Sequence, residues 1–148
     1  MEKDFMNIAF KEAEKALAKG EVPVGAVIVK NNEVIARAFN KKEKNKCSLE
    51  HAEMLAIKKA CKKVVNWRLD GCDMYVTLEP CPMCASAIKQ SRIKNVYCAI
   101  SSSNKSSSDL VFDIFSSVDN NPVVDIHNDL YKDRAEDMLK RFFLSKRG

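Results

Sequence analysis

The feature that most constrains this chain is a pair of short motifs that lie far apart in the sequence. The first is His51-Ala52-Glu53, and the second is Pro80-Cys81-Pro82-Met83-Cys84. One imidazole and two thiols suit zinc, and three protein ligands leave one tetrahedral position open, as in catalytic zinc sites. Zinc lowers the pKa of water in such a position to near neutrality. The two motifs therefore predict a fold that brings both segments to one metal ion and supports hydrolytic chemistry.

The spacing within each motif assigns roles to its residues. Cys81 and Cys84 are three residues apart at a predicted helix start, so their sulfurs lie on one face. The helix N-terminus also lowers a thiol pKa and favours the thiolate that zinc binds. Glu53 is two residues from His51 and does not share its helical face. We therefore expect His51, Cys81 and Cys84 to be the ligands and Glu53 to carry protons.

Other interpretations of the cysteines remain open at this point. A Cys-x-x-Cys pair alone is also typical of redox motifs and of half of a structural zinc site. A structural site would need a fourth ligand, for which the chain offers Cys47, Cys61, Cys72, Cys98 and His127. The two motifs together favour a catalytic zinc. We then expect the other four cysteines to be small apolar residues and His127 to be a surface or capping residue.

Length and charge limit the class of protein. The 148 residues suit a single domain spanning 1–148. The sequence shows neither an apolar run long enough to cross a bilayer nor a signal peptide, which predicts a cytoplasmic protein with reduced cysteines. The net charge of +5 is compatible with solvated faces or with a surface that binds polyanions. The basic clusters comprise Lys41, Lys42, Lys44 and Lys46; Lys58, Lys59, Lys62 and Lys63; and Lys140, Arg141, Lys146 and Arg147.

Hydrophobic periodicity and turn residues predict an α/β sandwich with a partly parallel sheet. The predicted helices are Asp4–Lys19, one from an N-cap at Ser48 to about Val64, Cys81–Gln90 after Pro80, a short one from a cap at Asp109 to Phe115, and Leu130–Lys146. The predicted strands are Val24–Val29, Val34–Ala38 after the turn Asn31-Asn32, Met74–Leu78, Val96–Ile100 and Pro122–Ile126. Ser101–Ser108 is of low complexity and is predicted to be a mobile surface loop.

The two motifs resemble the known signature of the zinc-dependent cytidine/adenosine deaminase superfamily. The resemblance implies a three-layer α/β/α sandwich with a mixed five-stranded central sheet. It also implies that His51, Cys81 and Cys84 hold one Zn2+ and that Glu53 is the catalytic proton shuttle.

Within that superfamily the sequence is most similar to bacterial tRNA adenosine deaminases, which convert the wobble adenosine to inosine. The similar segments are Glu21–Val27, Phe39-Asn40, His51-Ala52-Glu53, Tyr75–Cys81, Ser91-Arg92-Ile93 and Leu139–Phe143. The resemblance implies that Asn40 contacts the bound nucleoside, although an asparagine also favours turns. It further implies a homodimer and the anticodon loop of tRNA as substrate.

One segment departs from that family. The tRNA enzymes usually carry an Arg/Asp–Lys–Gly-containing segment where this chain has Ser101–Ser108. A free nucleobase or nucleoside, such as guanine, cytosine or adenosine, is therefore an alternative substrate. A non-catalytic, zinc-stabilised RNA-binding module is an alternative of another class, against which the presence of Glu53 argues.

Overall fold

The computed structural model describes residues 4–147, which form six helices and five strands in the order α1-β1-β2-α2-α3-β3-α4-β4-α5-β5-α6. The helices are α1 (Phe5–Ala18), α2 (Lys42–Asn45), α3 (Ala52–Val64), α4 (Pro82–Gln90), α5 (Lys105–Ser116) and α6 (Lys132–Arg147). The strands are β1 (Gly25–Lys30), β2 (Glu33–Phe39), β3 (Cys72–Val76), β4 (Asn95–Cys98) and β5 (Asp125–His127).

The five strands form one mixed sheet in the order β2-β1-β3-β4-β5. Strand β1 pairs antiparallel with β2 and β3, whereas β3, β4 and β5 are parallel. Buried residues of α3, α4 and α5 form one apolar cluster with the sheet, and those of α1 and α6 form a second. The predicted three-layer sandwich with a mixed five-stranded sheet is confirmed.

Small residues let two helices pack closely on the sheet. Helix α3 buries Ala52, Ala56 and Ala60, which recur every four residues and so share one face. Strand β1 approaches helix α1 so closely that a Cβ added to Gly25 would lie 2.6 Å from the backbone nitrogen of Ala13. Only glycine permits this approach between β1 and α1. The first half of the sheet, which precedes the metal-binding motifs, is therefore held tightly between two layers.

Local turn chemistry explains the elements that the sequence predicts well. Asn31 and Asn32 both adopt positive φ, 51° and 62°, which asparagine tolerates and a tight hairpin requires. Asp4 accepts a hydrogen bond from the backbone N–H of Asn7 and caps α1. The first helix and the hairpin are confirmed, with bounds shifted by a residue or two.

Two predicted helix starts, those of α3 and α5, are wrong, and the start of α4 is shifted by one residue. The N-cap of α3 is His51 rather than Ser48, because Lys42–Asn45 and the turns after it occupy the preceding segment. Helix α4 begins at Pro82, with Cys81 as N-cap, so the helix-starting proline is not Pro80. Asn104, whose side chain accepts from the N–H of Ser107, caps α5 instead of Asp109.

The loop predicted over Ser101–Ser108 is also wrong for its second half, because Lys105–Ser108 form the first turn of α5. A helix that starts at Lys105 has Val111 and Phe115, four residues apart, on its buried face.

Among residues 4–147, no helix combines the length and apolarity needed to cross a membrane.

Candidate active site

The two sequence motifs meet at the N-termini of α3 and α4. His51 and Cys81 are the N-cap residues, each with extended backbone angles. Their carbonyls accept the first helical hydrogen bonds, from Leu55 and Ala85 respectively. Cys84 follows in the first turn of α4 and is fully buried. Two helix N-termini thus point partial positive charge at this place, which favours thiolates.

The donor atoms are spaced as a tetrahedral zinc ion requires. The Nδ1 atom of His51 lies 3.7 Å from Sγ of Cys81 and 3.5 Å from Sγ of Cys84. Zinc–sulfur bonds of about 2.3 Å and zinc–nitrogen bonds of about 2.0–2.1 Å would place the nitrogen and each sulfur roughly 3.6 Å apart. Among the described residues the three donors form one group, within 4.8 Å of one another. The residues present therefore fit one zinc ion with three protein ligands.

Hydrogen bonds among the donors set their charge. The hydrogen bond with Cys84 lowers the pKa of Cys81 to about 4, whereas the same pairing raises the pKa of Cys84. The hydrogen bond to Cys81 raises the pKa of His51. The lowered pKa of Cys81 favours its thiolate, which is the form that binds zinc.

Glu53 lies beside the ligand group, at the second position of α3, and is 3% exposed. Burial raises the pKa of Glu53 to about 7. A carboxyl group with such a pKa can both accept and release a proton near neutrality. Its placement agrees with the predicted role of proton carrier, and that role stays a prediction.

A cavity of about 250 Å³ gives access to the site. His51, Glu53 and Cys81 line it together with Asn40, and the side chains of Val22, Val24 and Leu78 supply apolar surface. A concave site with apolar walls and a few convergent polar groups is typical of small-ligand binding. The arrangement suits a small ligand with an apolar face and a polar edge directed towards the ligand group.

Asn40 occupies the place that the sequence suggests and also holds its own loop. Its Nδ2 donates to the carbonyl of Val22 at 3.3 Å, and its Oδ1 accepts from the N–H of Lys42 at 3.0 Å. The second contact is a turn of the kind that asparagine favours. A side-chain amide has two donors and two acceptor sites, so Asn40 retains capacity for a ligand. Its role in substrate binding stays a prediction.

Sequence reasoning missed two buried carboxylates that shape the cavity. Glu21 accepts hydrogen bonds from the backbone N–H groups of Glu43 at 3.0 Å and Lys44 at 2.7 Å, and so fixes α2. Lys42, on the same short helix, lines the cavity, as does Glu79. Both acids stand inside the segments quoted for the family resemblance. A single sequence does not show that a charged residue is buried, so only that resemblance pointed to them.

The remaining cysteines and the second histidine lie outside the ligand group. Burial raises the pKa of Cys61, Cys72 and Cys98, which makes their thiols poor nucleophiles. His127 is exposed and stacks on Tyr97 with ring centroids 4.6 Å apart. The structure thus agrees with the predicted apolar character of these thiols and the surface position of His127.

Comparison with known proteins identifies the family. Residues 1–100 match the family described as cytidine and deoxycytidylate deaminase zinc-binding region. The chain belongs to this deaminase family. The matched residues include all three donors and Glu53, so the zinc that the geometry accommodates is the family's cofactor.

Sequence relatives of this deaminase-family chain are bacterial. A tRNA-specific adenosine deaminase of Bacillus subtilis is 58% identical over 92 residues, which is 62% of this chain and 57% of that protein. One from Aquifex aeolicus is 53% identical over 92 residues, 62% of this chain and 61% of that protein. The chain therefore spans about three fifths of the length of these two relatives. One from Streptococcus pyogenes is 38% identical over 139 residues, 94% of this chain and 87% of that protein.

Solved structures share the architecture of this deaminase-family chain. A structure from work on A-to-I editing by tRNA:A34 deaminases at the wobble position is 35% identical, with a TM-score of 0.82 over 90% of this chain and 97% of that one. Guanine deaminase from Bacillus subtilis is 28% identical, with a TM-score of 0.66 over 97% and 91% of the two chains. The fold is thus shared by enzymes named for a tRNA nucleoside and for a free base.

Proposed function

We propose that this protein is a zinc-dependent hydrolytic deaminase that converts the wobble adenosine of tRNA to inosine. The observation that carries the proposal is the meeting of three zinc donors and the buried carboxyl of Glu53 in one cavity. The similarity to tRNA-specific adenosine deaminases, 38% identical over 94% of this chain, supports the choice of substrate.

His51, Cys81 and Cys84 would hold the zinc ion. When bound, zinc supplies a Lewis acid that lowers the pKa of water and so provides a nucleophile at neutral pH. Hydrolysis replaces the C6 amino group of adenosine by oxygen and releases ammonia. One proton of water must therefore reach N1 of the purine ring, and the proton of the hydroxyl that adds to C6 must pass to the departing amine.

Glu53 is placed to move both protons. Its carboxylate would accept the proton from water, deliver it to N1 of the adenine ring, and then assist the departure of the C6 amine. Its burial supports this role, because a raised pKa brings the acid and base forms into balance near neutrality. The apolar walls at Val22, Val24 and Leu78 would hold the ring and exclude bulk water.

An RNA substrate agrees with the size of the cavity and with the lysine that lines it. Its volume of about 250 Å³ falls below the range of about 300–1,000 Å³ common for drug-sized ligands. It suits one extruded base, while the rest of a polynucleotide would lie outside. Lys42 stands at the cavity and can meet a phosphate there. Because tRNA is the proposed substrate, we also propose that the enzyme acts in the cytoplasm. We propose a homodimer from the family resemblance alone.

Deamination of a free base is the second candidate. It is favoured by the structural similarity to guanine deaminase at 28% identity and by the acids near the serine-rich segment, Asp109 and Asp129, which repel phosphate. A non-catalytic RNA-binding module is a poorer fit, because it has no use for a buried carboxyl at the zinc donors.

The test is inosine formation in an anticodon stem-loop, measured beside ammonia release from guanine, cytosine, adenosine and cytidine with the zinc-loaded protein. The proposal expects inosine at the wobble position and slow or no turnover of the free compounds. Turnover of a free base with no inosine in the stem-loop would favour the second candidate. Absence of turnover on every substrate would reject both deaminase functions.

A further inference from the structure

Glu79 joins the metal-binding loop to the serine-rich segment. Glu79 is 6% exposed, and its carboxylate accepts three hydrogen bonds. Oε2 accepts from the backbone N–H of Ser102 at 3.4 Å and from the hydroxyl of Ser108 at 2.5 Å. Oε1 accepts from Nδ2 of Asn128 at 3.0 Å. One buried carboxylate thus accepts hydrogen bonds from three residues, two of which, Ser102 and Ser108, lie near opposite ends of the serine-rich segment.

The backbone of Glu79 strengthens this connection. Its N–H donates to the carbonyl of Ile100 at 2.9 Å, directly before the serine-rich segment begins. Asp129 provides a separate anchor, because its Oδ1 accepts from both the N–H and the hydroxyl of Ser101. The segment is therefore fixed at its first residue by Asp129, and at its second and last residues by Glu79.

Glu79 also stands between two cavities. It lines the active-site cavity, and it lines a neighbouring one of about 460 Å³. Four serines line the second cavity, and they are called the serine wall below: Ser101, Ser102, Ser103 and Ser108. A polynucleotide with one base in the first cavity must leave it past some part of the rim. Because Glu79 lines both cavities, the serine wall lies next to the active-site cavity on the side of Glu79.

We propose that Glu79 is a positioning residue that presets the serine wall for an RNA substrate, so that the wall is already ordered when the strand next to the target base arrives. The inference rests on the proposed function. A preset wall removes part of the ordering cost that a flexible serine-rich loop would incur on binding. It also explains how a polar segment with a single lysine can serve a nucleic-acid substrate.

Ser108→Ala is the decisive variant, because it removes the shortest contact of Glu79 and is remote in sequence from the zinc donors. Ser106→Ala is the matched control, since Ser106 is exposed, belongs to the same helix turn and does not line either cavity. Glu79→Gln is a second variant, which keeps the size of the side chain but loses its charge. The zinc content of each variant is measured first.

The first readout is hydrogen exchange of the Ser102 amide in the zinc-loaded protein without RNA. We expect roughly ten-fold faster exchange in Glu79→Gln, where the Ser102 amide loses its charged acceptor. We expect a similar increase in Ser108→Ala, because the carboxylate that accepts from Ser102 loses the contact that holds it in place. Ser106→Ala is expected to match the wild type. Unchanged exchange in Ser108→Ala would overturn the proposal.

The second readout is the split between KM and kcat for the anticodon stem-loop. A preset wall predicts that Ser108→Ala raises KM about three- to ten-fold with a smaller effect on kcat. A fall in kcat together with loss of zinc would show instead that Glu79 serves the metal site, and an unchanged KM with a loosened wall would also overturn the proposal. If the wild type forms no inosine, the proposed function fails, whereas the exchange experiment still decides whether Glu79 orders the wall.

Discussion

Removal of the Glu21 carboxylate should destabilise the protein measurably. Glu21 is 1% exposed, and its two oxygens accept from the backbone N–H groups of Glu43 at 3.0 Å and Lys44 at 2.7 Å. A hydrogen bond to a charged acceptor contributes about 1.5–3 kcal/mol. Because residues 43 and 44 are exposed, water can replace the lost acceptor and the lower value applies. Two bonds give a loss of about 3 kcal/mol in the free energy of unfolding for Glu21→Ala.

Glu21→Gln should lose roughly half as much, since its remaining carbonyl oxygen still accepts one of the two bonds. The assay is equilibrium unfolding in urea, supported by thermal melting, in which about 3 kcal/mol lowers Tm by roughly 6–12 °C in a protein of this size. The control is Glu14→Ala, which removes an exposed ion pair with Arg141 at 2.7 Å. Such a surface pair is worth about 1 kcal/mol or less.

The reasoning would be refuted if Glu21→Ala unfolded within about 0.5 kcal/mol of the wild type, the usual range of neutral surface changes. It would also be refuted if Glu14→Ala lowered the free energy of unfolding as much as Glu21→Ala does. Because α2 carries Lys42 to the cavity, hydrogen exchange at residues 43 and 44 provides a local check that the loss arises there.

Three further changes test other parts of the structure. Lys42→Gln should weaken stem-loop binding and lower the slope of log Kd against log salt concentration by about 1. Lys44→Gln, on the same helix but away from the cavity, should have a smaller effect on both quantities. Equal effects of the two variants would indicate unspecific electrostatic attraction. Lys89→Met should lower the free energy of unfolding in urea by about 2 kcal/mol, because the buried ammonium donates to three backbone carbonyls of the loop 117–122. An unchanged urea midpoint would contradict this prediction. Gly25→Ala should cost about 1–3 kcal/mol by forcing α1 off the sheet, and a fully stable variant would show that no close approach exists.

The parts of the structure that the sequence predicts are those set by local chemistry. The turn at Asn31-Asn32 follows from two residues that tolerate positive φ. The zinc donors follow from residue type and spacing, since Cys81 and Cys84 lie at a helix start whatever packs around them. The α/β sandwich with a partly parallel sheet follows from the order of the elements, whereas its three layers were implied by the family resemblance.

The parts that sequence reasoning missed depend on partners far along the chain. Glu21 accepts from backbone N–H groups just over twenty residues away, and Glu79 accepts from one such group and from the side chains of Ser108 and Asn128. The hydrophobic periodicity of the sequence carries no signal of these contacts. Asn104 and Asp109 are both good cap residues, and burial of Val111 and Phe115 selects the earlier start. The single domain over residues 1–148 stays a prediction.

The central feature of this site is that the zinc donors and Glu53 have separate duties. The most direct test is the rate of inosine formation per bound zinc in Glu53→Gln, with zinc counted in the same sample. We predict about one zinc per chain and a rate at least 10²-fold below wild type, the lower end for loss of a general acid–base group. Loss of zinc in this variant, or a rate per zinc close to wild type, would contradict the assignment.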